Sequence, residues 1–158
     1  MPLYDDGYRY PGDFGRDKTT KIEQFRGEAR FLSNFYPAEV THDGIEYPTT
    51  EHAFAAAKTL HFGERWQISQ LSTPGKAKRA GRQNELRPDW EQVRDQIMME
   101  LTILKFVNHR HLKELLLSTG NAELIEGNTW DDKYWGVCDG EGLNTLGKIL
   151  MLVRDQLR

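Results

Sequence analysis

Residues 39–58 constrain this chain more than any other stretch. Glu39-Val40-Thr41-His42-Asp43-Gly44-Ile45-Glu46-Tyr47 is centred on Asp43-Gly44. That dipeptide suits a type I′ turn, in which both central residues take positive φ, so a β-hairpin is predicted. Two residues after Tyr47 comes Thr49, whose hydroxyl can accept a first-turn N–H and start a helix.

The helix has two unlike sides. At about 100° per residue, Glu51, Phe54, Ala55 and Lys58 share one arc, and Ala53, Ala56, Ala57 and Leu60 the opposite one. Glu51 and Lys58 lie two turns apart, roughly 10 Å along the axis. Ala55 leaves an open floor between them, and Phe54 offers a ring to stack on a flat ligand. Acid, amine, floor and wall fit a small polar substrate. The pattern also fits an ordinary surface helix, because the helix dipole favours Glu in the first turn and Lys in the last.

The remaining elements follow from periodicity and capping. A short strand is expected from Lys21 to Phe25, and helices over 64–71 and from Pro74, with Thr73 as N-cap. Trp90, Val93, Ile97, Leu101 and Leu104 recur at core-face spacing, which predicts a helix over 89–108 capped by Asp89. A helix over 110–118 closes at Gly120. A strand near Ala122–Ile125 precedes a long loop, 127–143, and a last helix starts near Asn144 with Leu146, Ile149, Leu150, Val153 and Leu157 inward. Residues 1–19 show no periodicity and read as an irregular arm or a flap over substrate.

Composition narrows the functional classes. A chain of 158 residues with 38% hydrophobic and 28% charged residues is most simply one soluble domain. The single Cys138 excludes an intrachain disulfide framework, suits a cytoplasmic setting and excludes a cysteine-based zinc cluster. No apolar run approaches membrane-helix length. The five His residues make no His-Glu-x-x-His pattern, so no metal is expected. A net charge of −3 argues against nonspecific coating of nucleic acid. A local exception is Lys76, Lys78, Arg79, Arg82 and Arg87, where a helix would present two basic ridges. With Gly75 in its first turn, this segment suits an anionic ligand or a nucleic-acid backbone, or is simply a solvated face. The loop Trp130-Asp131-Asp132-Lys133-Tyr134-Trp135-Gly136 reads either as a wall for a ring and its hydroxyls or as a core plug with Asp-capped turns.

Five segments together resemble the NADAR family: Phe31-Leu32-Ser33-Asn34-Phe35-Tyr36-Pro37, Tyr47 to Lys58, Lys78-Arg79-Ala80-Gly81-Arg82, Asp132-Lys133-Tyr134-Trp135-Gly136, and Gly142-Leu143-Asn144-Thr145-Leu146-Gly147-Lys148. The resemblance implies a compact, mostly helical α+β domain over 20–158 with a small antiparallel sheet. It also implies hydrolysis of N-glycosidic bonds without a cofactor. Relatives of this kind remove ADP-ribose from the amino group of guanine in nucleic acid, one as antitoxin to a DNA-modifying ADP-ribosyltransferase toxin. Others cleave phosphoribosylamino-pyrimidine intermediates of riboflavin synthesis. The expected partners are therefore ADP-ribosylated nucleic acid or a small nucleotide, with a cognate toxin and a monomeric state; a non-catalytic ADP-ribose-binding module is the third reading.

On that resemblance, Glu51 stabilises the sugar cation or activates water, and Lys58 acts as acid or as a Schiff-base amine. Asp132 is the second carboxylate. Phe54 and Trp135 stack on a base. Asn34 bonds ribose or phosphate, Arg79 and Arg82 neutralise pyrophosphate, and Asn144 and Gly147 offer helix-start N–H groups to a phosphate. Phe35 and Gly136, from the same motifs, complete the binding set.

Overall fold

The structure, a computed structural model, describes residues 21–158. The predicted arm over 1–19 lies outside the described residues. The elements run β1 (Lys21–Ile22), a 3-10 helix (Gly27–Leu32), β2 (Pro37–His42), β3 (Ile45–Thr49), α1 (Thr50–Ala57), α2 (Phe62–Ser69), α3 (Pro74–Gln83), α4 (Trp90–Asn108), α5 (Arg110–Ser118), β4 (Glu123–Leu124), β5 (Gly127–Asn128), β6 (Val137–Cys138) and α6 (Thr145–Leu157). The class is α+β. The predicted hairpin is the antiparallel pair β2–β3, turning at Asp43 (φ 49°) and Gly44 (φ 80°). Two short parallel ladders, β1–β4 and β5–β6, accompany it.

The contacts group into two units, Asn34–Asn108 and the remainder, which joins the described residues up to Ser33 to His109–Arg158. In the Asn34–Asn108 unit, α1 packs against α2, α3, α4 and both hairpin strands. Its start is held by a closed set of hydrogen bonds. The Thr49 hydroxyl accepts the His52 backbone N–H (3.1 Å) and lies 2.7 Å from Nδ1 of the buried His52 ring, whose Nε2 is 2.9 Å from the Leu71 carbonyl. A carbonyl only accepts, so Nε2 carries the proton and Nδ1 accepts from Thr49. Burial pushes the His52 pKa down, in keeping with this neutral form.

Because α1 is surrounded, the predicted division of its faces does not hold. Phe54 and Ala55 are as buried as Ala53, Ala56 and Ala57. The helix ends at Ala57, so Leu60 lies past it and is 59% exposed. Along α4 the core face turns slightly from the predicted one. Ile97, Met98, Leu101, Thr102, Lys105 and Phe106 are buried, whereas Val93 and Leu104 are only partly covered. The Lys105 ammonium sits 5.1 Å from the Phe106 ring centre and 5.7 Å from that of Tyr36, an aromatic setting for a buried cation. Asp89 does not cap α4 with its side chain; both its oxygens take the Arg87 guanidinium, at 2.6 and 3.0 Å.

In the other unit, α5 packs on the 3-10 helix and on α6, and α6 on β4. Gly120 takes φ 60° just past α5, the left-handed stop its position predicts. Buried Arg154 donates to the Thr119 hydroxyl (2.9 Å) and the Ala122 carbonyl (2.8 Å), fixing α6 to the end of α5. The 127–143 segment contains β5 and β6, so it is partly ordered by its own ladder. Among the described residues, no helix is long and apolar enough to cross a membrane.

Candidate active site

Glu51, Lys58, Lys78, Arg82, Phe35 and Asn34 form one constellation within the Asn34–Asn108 unit. The Glu51 backbone N–H donates to the Asn34 carbonyl (3.0 Å), which fixes the Asn34-Phe35 turn to the first turn of α1. Asn34 Nδ2 donates to Met98 Sδ (3.4 Å), so the Asn34 amide is oriented by α4. Glu51 stands at the amino end of α1, where the helix dipole favours a carboxylate.

Lys58 forms the other end. It is the C-cap of α1, with φ −67° and ψ −21°. Its ammonium lies 5.8 Å from the Phe54 ring centre and 5.9 Å from that of Trp90, and those two rings pack 5.0 Å apart. Burial pushes the Lys58 amine below the usual lysine range; Glu51 opposes this, and Arg82 and Lys78 add to it. The amine therefore loses its proton more readily than a solvated lysine and is better suited to acid–base or nucleophilic work.

The predicted floor at Ala55 is covered by α3, and this closeness explains the site's charge. A Cβ added at Gly81 would lie 2.9 Å from Ala55 Cβ and 3.1 Å from its Cα. Only glycine permits that approach. Lys78 and Arg82 flank the buried Ala77–Gly81 face and so reach the field of Lys58. Lys78 Nζ also lies 5.9 Å from the ring centre of Phe35, which is 42% exposed. Arg79 is two residues from both Ala77 and Gly81, about 200° around the helix, and exposed. Of the predicted Arg79 and Arg82, the structure sets Arg82, together with Lys78, in the field of Lys58. The first turn of α3 is already capped, since Thr73 Oγ1 accepts from Lys76 N (3.1 Å). Phe54 faces Trp90 and Lys58 at 6% exposure, so it walls the amine and offers little face to a ligand. Trp90 and Lys78 were legible only as core and as charge; their part in the site depends on helix packing.

The other predicted residues belong to the second unit, where they build a backbone network. Asn128 Oδ1 accepts Asp132 N (3.0 Å) and its Nδ2 donates to Asp132 O (2.8 Å). Asp132 Oδ1 accepts the N–H groups of Trp135 (2.9 Å) and Tyr134 (3.2 Å), so this carboxylate shapes the loop. Trp135 meets Tyr134 edge-on at 4.9 Å.

The start of α6 is not an open phosphate site. The N–H groups of Leu143, Asn144, Thr145 and Leu146 donate to the carbonyls of Lys133, Gly136, Tyr134 and Trp135, at 2.8–3.2 Å. Asn144 has φ 53° and does not cap with its side chain. Its Nδ2 donates to Leu124 O (2.9 Å) and its Oδ1 accepts Glu126 N (3.0 Å). Gly136 and Gly147 are glycines for want of room, since added Cβ atoms would lie 2.0 Å from Glu126 O and 2.1 Å from Leu124 O. Gly147→Ala is expected to cost about 3 kcal/mol or more, because a rigid carbonyl blocks the methyl. Gly75→Ala, whose nearest neighbour would be 4.0 Å away, is expected to be neutral or to stabilise by up to about 1 kcal/mol. Urea midpoints for the two variants test the contrast.

A family model described as the NADAR domain matches residues 21–158, a range that takes in both units. N-glycosidase YbiA of Escherichia coli (strain K12) is 42% identical over 129 residues, covering 80% of each chain. A riboflavin biosynthesis protein of Vibrio vulnificus is 35% identical over 131 residues, which is 81% of this chain but 35% of that longer protein. The NMR structure of E. coli YbiA matches with a TM-score of 0.80 at 36% identity, covering 93% of this chain and 92% of that one. Family match, sequence likeness and shared fold agree: the chain belongs to the NADAR family.

Proposed function

We propose that this N-glycosidase removes ADP-ribose from the amino group of guanine in nucleic acid. The observation that carries the reading is one carboxylate, Glu51, grouped with three cations, Lys58, Lys78 and Arg82. A phosphorylated ribose supplies the negative charge this group calls for, and its C1–N bond supplies the chemistry. The leaving nitrogen takes a proton from the Lys58 ammonium as the C1–N bond breaks. Positive charge grows on the sugar, which the Glu51 carboxylate stabilises. Water then adds to C1 and gives a proton to Glu51. The products are the free amine of the base and ribose with a C1 hydroxyl. The outward Lys76 and Arg79 on α3, which holds no acid between 74 and 83, support a polyanionic substrate.

A second reading has its own support. The relatives named as riboflavin biosynthesis proteins favour a phosphoribosylamino-pyrimidine, whose C1–N bond would be broken by the same groups. The deciding experiment offers both compounds, an oligonucleotide carrying ADP-ribose on guanine and the phosphoribosylamino-pyrimidine, and follows products by mass spectrometry. ADP-ribose release that falls steeply with salt, because phosphate contacts are screened and counterions compete, is the expected result. Cleavage of the pyrimidine compound alone would establish the second reading. Tight binding of ADP-ribose with no turnover of either would leave a binding module.

A further inference from the structure

Arg87, in the segment between α3 and α4, and Trp90, the first residue of α4, each meet Lys58. The Arg87 backbone N–H donates to the Lys58 carbonyl at 2.7 Å. The Arg87 guanidinium reaches the adjacent Ala57 carbonyl through Nη1 (3.4 Å) and holds Asp89 through Nε and Nη2. Three residues on, the Trp90 N–H donates to the Arg87 carbonyl (3.2 Å), which ties the start of α4 to Arg87. That indole is 7% exposed, and the Lys58 ammonium is almost equidistant from it and from Phe54.

We propose that Arg87-Pro88-Asp89-Trp90 is a clip on Lys58, the Arg87 amide gripping its carbonyl and the Trp90 indole, packed on Phe54, flanking its ammonium, and that Trp90 is thereby a positioning residue of the reaction. Pro88 restricts the clip, since φ of the ring is fixed and the preceding residue is kept out of the helical region. Arg87 fills the role of a C-terminal cation, donating to carbonyls the helix leaves unpaired. A lysine at a helix end ordinarily swings into water on four flexible bonds. Here the backbone is held by the Arg87 amide and the ammonium lies beside the packed Phe54–Trp90 ring pair, so fewer rotamers remain. The indole also replaces water around the amine. The charged groups acting on that amine are Glu51 from α1 and Arg82 and Lys78 from α3. Glu64 and Arg65 of α2 are engaged by Thr59, and Arg87 by Asp89.

The proposal rests on Lys58 being the reacting amine, and its test separates the two ideas because it needs no substrate. The Lys58 side chain is followed by 13C NMR through a pH titration, assigned with Lys58→Met, in the wild type, Trp90→Phe and Trp90→Leu. Trp90→Leu opens the flank of the amine to water and is expected to shift the Lys58 titration toward the ordinary lysine value. Trp90→Phe is expected to shift it less. The alkaline limb of the kcat profile should move the same way, with kcat changed more than KM. An unmoved Lys58 titration in folded Trp90→Leu overturns the proposal. Where Trp90→Leu fails to fold, Trp90→Phe decides, and a Lys58 titration identical to wild type overturns it. A moved titration in an enzyme with no turnover of either substrate would sustain the clip and refute the proposed function instead.

Discussion

Glu51→Gln is expected to lower kcat by about 10²–10⁴-fold while the protein stays folded and keeps its ligand affinity. Gln has the shape of Glu but carries no negative charge toward the sugar and takes no proton from water. The structural cost is small. Glu51 donates its backbone N–H to Asn34, and that bond survives the substitution. The helix-dipole part of the side chain's contribution at the start of α1 is about 0.3–1 kcal/mol. One further effect has a definite sign. Glu51 opposes the lowering of the Lys58 pKa, so without it the amine should titrate lower still. Steady-state rates, ligand binding and thermal melts on one preparation test this. A variant with near wild-type rate would remove Glu51 from the chemistry.

Lys58→Met is expected to lose turnover by about 10²-fold or more without losing stability. Met keeps an unbranched stem beside the Phe54–Trp90 ring pair. It removes an amine whose charged form is disfavoured by burial and by Arg82 and Lys78. The pH dependence follows from linkage. The folded pKa lies below the unfolded one, so the unfolded chain holds the proton more firmly. The cost to folding is full below the folded pKa. It fades as pH rises and is gone above the ordinary value of 10.5. The variant's stability relative to wild type should therefore be highest near neutrality and should fall as pH approaches 10.5. Borohydride distinguishes two roles for the amine. Reduction that traps sugar on wild-type Lys58 supports a Schiff base; its absence with full turnover supports proton donation.

Much of this molecule was legible in the sequence because its signals are local. Asp43-Gly44 fixes a turn, Thr49 and Thr73 cap helices, and Gly120 ends one, each through its own backbone. What could not be read depends on neighbours distant in the chain. Ala55 looks like open floor until Gly81 is placed against it. Phe54 looks like a ligand wall until Trp90 covers it. The N–H groups before α6 look available until carbonyls from residues 133–136 take them. Asp132, Gly136, Asn144 and Gly147 have roles in folding that the sequence hid: their atoms are held by backbone partners or lack room for a side chain.

The Ala55–Gly81 contact leaves α3 in an awkward position before any substrate arrives. Two helix backbones are pressed together at a point with almost no side chain to interlock, and the cations that this approach brings toward Lys58 repel it. Like charges are gathered there. By Coulomb's law an anion placed among these cations would offset their mutual repulsion as well as add contacts of its own, a consequence of the packing of two small residues.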